Sequence, residues 1–232
     1  MIDISADMGE GSPGEDEIWP LITSANVACG GHTGDAGSMS YAARRAREHG
    51  VRLGAHPSYP DRENFGRKSM SMMPAALRAS LVAQIGALRA IAQIDFVKPH
   101  GALYNDAHRD VVRAGVIVEA MQDVDPELAI VCPDVSAMAT AARTNGVRVI
   151  REAFADRRYN PDGSLVSRAE PDALLGVDEA AEQAALLAAD RAVIARDGSR
   201  VSVAFDTICI HADMEHAVER LRAIRQRIGG LE

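Results

Sequence analysis

The chain has 232 residues, 47% of them hydrophobic, 25% charged and 4% aromatic, with a net charge of −8 when histidine is neutral. That balance belongs to a globular protein and excludes a disordered one. The acidic surplus excludes a nucleic-acid or membrane-surface binder, which needs a basic face. No apolar run approaches the roughly 18–20 residues of a membrane span, and Met1-Ile2-Asp3 does not read as a signal peptide. The length suits one domain over residues 1–232.

Short apolar segments alternate with helix-like ones. The predicted strands are Ile2–Ala6, Ala25–Cys29, Val51–Ala55, Phe96–Lys98, Leu128–Cys132, Arg148–Phe154 and Thr207–Ile210. Helical spacing falls at Gly37–Glu48, Pro74–Gln93, Asp110–Asp123, Ser136–Thr144, Asp178–Arg196 and Glu215–Ile228. Gly50 and Gly146 stand where a helix should stop before a strand. This alternation predicts parallel strands joined by helices, as an open sheet or as a (β/α) barrel. Six of the seven strands run into polar residues with Gly or Pro. A barrel gathers all such ends at one rim, whereas an open sheet uses only those at its switch point. The expected fold is therefore an α/β barrel with seven strands. Cys29, Cys132 and Cys209 each lie in or beside an apolar segment. They read as reduced, packed thiols, consistent with a cytoplasmic protein.

The strand ends carry the chemistry. Asp7 and Glu10 form a carboxylate pair that can hold a metal or divide acid and base roles. Asn26 to Asp35 includes three glycines and His32; Gly30 to Gly34 could present backbone amides to an anion, with Asp35 at a helix start. His56 and His100 each follow a strand beside a proline, and Lys98 and Tyr104 flank the second of them. One buried histidine is usually a satisfied core group. Four on one rim (His32, His56, His100 and His211) point to proton transfer or to a metal, with Asp7, His32, His56 and His100 as candidate ligands. Asp156 and Arg157 can form an ion pair, or the guanidinium can grip a ligand carboxylate.

In order, the stretches Asp3–Gly11, Ser24–Asp35, Gly54–Arg67, Val97–Asn105, Glu152–Arg168 and Thr207–Ala217 resemble the LamB/YcsF family, the A component of 5-oxoprolinase. The chain departs from the family's usual pattern at Ser5, Gly31 and Ala212, where Asn, Phe and Gly are usual. The resemblance implies a seven-stranded barrel of the glycoside hydrolase/deacetylase type. It implies ATP-dependent opening of 5-oxo-L-proline to L-glutamate, with ATP as co-substrate, and partner subunits B and C. A divalent metal is compatible with it. On that basis Asp7, Glu10, His56, Lys98 and His100 are expected to be catalytic. Asn26, Gly30, His32, Asp35, Tyr104, Asp156, Arg157 and His211 are expected to bind substrate. No G-x-x-x-x-G-K-[ST] segment occurs, so the nucleotide chemistry is expected on the partners. Two other functions suit the same residues: a stand-alone metal-dependent amidase or deacetylase, and a non-catalytic substrate-binding subunit.

Overall fold

The computed structural model describes residues 2–168 and 170–229. Its strands are β1 (Asp3–Met8), β2 (Ser24–Ala28), β3 (Arg52–His56), β4 (Phe96–Val97), β5 (Ala129–Cys132), β6 (Val149–Phe154), β7 (Ala192–Ile194), β8 (Arg200–Ser202) and β9 (Thr207–Ile210). Seven of them close into a barrel in the order β1–β2–β3–β4–β5–β6–β9. All pairings are parallel, and β9 closes the ring by pairing with both β6 and β1. The seven segments expected as strands are these seven.

Strand side chains alternate between faces. On β1, Ile4, Ala6 and Met8 join Val27, Ala55, Val97, Ala153 and Ile208 in the apolar layer beneath the helices. The alternate positions line the barrel: Ser5 and Asp7 on β1, Asn26 on β2, His56 on β3, Glu152 and Phe154 on β6, Cys209 on β9. The lower interior is filled by Phe96, Val131 and Ile150. Gly54 makes room for that plug, because a Cβ there would overlap the Phe96 ring. Beside the plug, Asp3 Oδ1 accepts hydrogen bonds from Thr23 Oγ1 (2.6 Å) and Ser24 Oγ (2.8 Å) and pairs with Arg52 Nη2 (3.1 Å).

The outer helices are α1 (Glu15–Ile18), α2 (Ala36–His49), α3 (Pro74–Arg89), α4 (Gly101–Ala107), α5 (Val111–Val124), α6 (Ala137–Thr144), α7 (Val177–Asp190) and α8 (Ala217–Ile228). Three of their starts carry side-chain caps: Asp35 and Ser38 form a reciprocal box on α2, Asp110 caps α5 and Ser136 caps α6. No described helix is long and apolar enough to cross a membrane.

One helix expectation fails. The run Asp178–Arg196 reads as a single helix, but α7 ends at Asp190 and Arg191 turns left-handed at φ 50°. The chain then forms the antiparallel hairpin β7–β8. Asp197-Gly198 supplies its turn, with the Asp197 carboxylate accepting from Ser199 N at 3.0 Å. The Ala-Val-Ile stretch before that turn suits a strand, and the turn chemistry outweighs the helix-rich composition upstream. The short helices α1 and α4 have no counterpart among the predicted ones.

Candidate active site and metal centre

Parallel closure brings the C-terminal ends of β1 to β4 to one side of the rim. Glu10, His32, His56 and His100 meet there, with one ligand-type atom from each lying within 4.8 Å of the others. Glu10 Oε1 is 3.0 Å from His32 Nε2, 3.5 Å from His100 Nδ1 and 3.9 Å from His56 Nε2. The His32 ring stacks on His100 at 3.7 Å between centroids.

Hydrogen bonds assign two of the tautomers. His56 Nδ1 lies 2.7 Å from the Lys98 carbonyl, which can only accept, so Nδ1 carries the proton. His100 Nε2 donates in the same way to the Phe65 carbonyl at 2.9 Å. The remaining nitrogens, His56 Nε2 and His100 Nδ1, face each other at 3.0 Å. In neutral rings both carry lone pairs, so that approach needs a proton or a metal cation between them. The enclosed His32 Nδ1 has no partner among the described residues. Histidine ligands that donate their other N–H to a carbonyl are the usual support of a metal centre. Three imidazoles and a carboxylate suit a divalent transition metal, and these four residues could hold one.

Asp7 stands beside this group. Its Oδ1 accepts from Asn26 Nδ2 (2.8 Å) and Lys98 Nζ (3.1 Å), and its Oδ2 is 3.4 Å from His56 Nε2. Lys98 also meets Glu152 Oε1 (2.8 Å) and Cys209 Sγ (2.9 Å), while Tyr104 OH donates to Glu152 Oε2 at 2.7 Å. Lys98 is thus paired with Asp7 and Glu152, not with Glu10. Burial opposes the charge on Asp7, but the positive charges of His56 and Lys98 outweigh it and hold the carboxyl well below its usual range. Burial likewise opposes the ammonium of Lys98, and Asp7, Cys209 and Glu152 reverse that effect. Glu10 is pushed up to about 7 by burial and by Asp7. Burial, then the charge of His56, lowers His32 to about 3 and His100 to about 2, so both rings are neutral as ligands must be. At His56 burial is outweighed by the charge and hydrogen bond of Asp7, which raise the ring, so a metal there would displace its proton.

Across the rim, the ends of β6 and β9 form a second group. Asp156 Oδ2 accepts from His211 N at 2.7 Å and from His211 Nδ1 at 2.9 Å. The His211 ring stacks on Phe154 at 5.6 Å. This carboxylate fixes the imidazole and leaves Nε2 as its proton-exchanging atom. Arg67 pairs with Asp213 over the mouth, linking the loop after β3 to the loop after β9.

Other expected residues make structural contacts. Asp35 is exposed and caps α2, and the Gly30 N–H closes a turn on the Thr33 carbonyl at 2.8 Å. Asn26 is fully buried and orients Asp7. The Tyr104 hydroxyl is engaged by Glu152. Gly31 opens no space near His32, because Gln84 Oε1 and Ser58 Oγ occupy the room that a side chain there would need. Two contributors were not singled out from the sequence. Glu152 was legible, since it shares a strand face with Phe154. The Phe65 carbonyl was not, because a backbone atom has no sequence signature.

The family model of LamB/YcsF matches residues 2–231. The chain belongs to the LamB/YcsF family. Among solved structures, it is 40% identical to the lactam utilization protein from Thermus thermophilus, with a TM-score of 0.91, covering 98% of this chain and 95% of that one. A putative cellobiose-phosphate cleavage protein from Enterococcus faecalis V583 shares the fold at 13% identity and a TM-score of 0.58, covering 100% of this chain and 96% of that one. Family and neighbour together support a 5-oxoprolinase-related role.

Proposed function

We propose that this chain is the A component of an ATP-dependent 5-oxoprolinase that opens 5-oxo-L-proline to L-glutamate with partner subunits B and C. The observation that carries the reading is the pairing, on one rim, of the Glu10–His32–His56–His100 group with the Asp156–His211 dyad. A lactam needs both a polarised carbonyl and a proton for its departing nitrogen, and the two groups supply those needs from opposite sides. The likeness to a lactam utilization protein supports the same substrate class.

Phosphoryl transfer from ATP to the ring oxygen, on machinery from the partners, makes the carbonyl carbon electrophilic. Water adds to that carbon and the ring C–N bond breaks, which leaves an acyl phosphate; a second water then releases phosphate and the side-chain carboxylate of glutamate. Asp7, kept ionised by Lys98 and Asn26, takes the proton of the attacking water at Oδ2. His211 Nε2 gives a proton to the ring nitrogen, while Asp156 holds Nδ1. A divalent metal held by Glu10, His32, His56 and His100 would polarise the carbonyl and acidify water.

A second reading, a stand-alone metal-dependent amidase, is favoured by the completeness of the four-residue group within this one chain. One assay separates the two: the purified chain with 5-oxo-L-proline, with and without ATP and candidate partners, followed by glutamate release. Turnover only with ATP and partners supports the first reading. Turnover by the chain alone, abolished by a chelator and indifferent to ATP, supports the second. No glutamate under any condition rejects both.

A further inference from the structure

Arg157 is a buried cation that forms no ion pair among the described residues. It is 7% exposed and stands three residues beyond β6. Its Nη2 donates to the Val166 carbonyl at 2.7 Å. Its Nε is enclosed and meets no acceptor. The neighbouring carboxylates are committed elsewhere: Asp156 to His211, and Glu179 and Asp172 to Arg158. No described carboxylate forms an ion pair with Arg157. Burial, then the like charge of Arg168, disfavours its charged form, and the charge of Asp156 relieves this only in part.

Two other buried arginines also bond only carbonyls. Arg220 reaches the Glu215 carbonyl, and Arg225 reaches the Leu21 carbonyl. Both lie on the outer helix α8. Arg157 differs in place, because it adjoins the aspartate that fixes His211. It also differs in field, because a second arginine reinforces it. Enclosing an unpaired guanidinium is costly, and an arriving anion removes that cost. The planar fork of arginine matches a carboxylate in particular.

We propose that Arg157 anchors a carboxylate of the ligand beside His211, so that this site selects a carboxylated lactam over a neutral one. The inference rests on the lactam reading above and adds the group that recognises the acid. Anchoring there also sets the ring nitrogen toward His211 rather than toward Asp7.

The test is calorimetric titration of the full chain with 5-oxo-L-proline, with its neutral carboxamide and with acetate. The variants are Arg157→Met and Arg157→Lys, each checked for its fold by circular dichroism. Arg157→Met should weaken 5-oxo-L-proline roughly 30-fold or more while leaving the carboxamide unchanged. Arg157→Lys should fall between, since it keeps the charge and loses the fork. Equal affinity of Arg157→Met and wild type for 5-oxo-L-proline overturns the proposal. Should Arg157→Met not fold, the Lys variant decides: undiminished preference for acid over carboxamide overturns the anchor. Arg157-dependent binding of acetate without binding of either lactam leaves the anchor standing and rejects the lactam reading. Binding of no carboxylate at all overturns the anchor, while the lactam reading remains with the glutamate assay.

Discussion

The two ends of the barrel interior treat polar groups in opposite ways. At the lower end, one oxygen of Asp3 is fully matched: Thr23, Ser24 and Arg52 all point at Oδ1, over an apolar plug of Phe96, Val131 and Ile150. At the rim, polar atoms are enclosed but unmatched. His56 Nε2 and His100 Nδ1 face each other and need a proton or cation between them, His32 Nδ1 has no partner among the described residues, and no described carboxylate pairs with Arg157. Unsatisfied buried groups destabilise a fold, so a site that keeps them is shaped for something that arrives. The lower network closes a barrel, and the upper one is built to take a ligand.

The contrast can be broken from the top. His100→Ala should lower glutamate formation in the reconstituted complex by about 10²-fold or more, the contribution expected of a group in proton transfer or metal support. Retention of more than about a tenth of the rate would mean that the rim histidines are structural. The metal-holding role makes a prediction independent of turnover. Adding Zn²⁺ or Mn²⁺ at about a hundred times Kd to chelator-treated chain should raise Tm by roughly 5–10 °C. His56→Ala should remove that rise, and an equal rise in the variant would refute the assignment.

The dyad across the rim carries a pH signature. Burial raises the Asp156 carboxyl, but the charge and hydrogen bonds of His211 outweigh it and lower the group to about 2, beneath its unfolded value. A depressed carboxylate stabilises the fold above its unfolded pKa and loses that contribution as pH falls through the folded one. Asp156→Asn should therefore cost about 2 kcal/mol at neutral pH, with the difference from wild type shrinking between about pH 4 and pH 2. Denaturant titrations at a series of pH values measure it, and a pH-independent cost would show that the loss is one of packing alone. The smallest effect belongs to the lower end. Thr23→Val should cost about 1–2 kcal/mol, since the hydroxyl accepts from Ile4 N and donates to Asp3, and leave metal binding and turnover untouched. A change in either would show that the two ends communicate.

The same division marks what the sequence could say. Strand and helix positions follow from local periodicity and caps, so the seven barrel strands were legible segment by segment. The hairpin after α7 escapes a sequence reading although Asp197-Gly198 signals it, because the helix formers before it dominate the window. Residue types at the rim were legible too, since strand ends in a parallel barrel share one face. Partners were not. Asp156 could have joined Arg157 or Arg158, its chain neighbours, yet it joins His211, 55 residues away. Lys98 meets Asp7 across 91 residues, and Glu10 meets His32 across 22.

By itself, the sequence determined a seven-stranded α/β barrel, its family and the set of groups available for chemistry. Those properties rest on local patterning and on motif blocks read along the chain. Only the tertiary structure decided which charge neutralises which, which imidazole nitrogen is free and which guanidinium is left unpaired. The reason is that ion pairing and tautomer choice depend on distances of about 3 Å between atoms far apart in the chain, and barrel closure alone sets those distances.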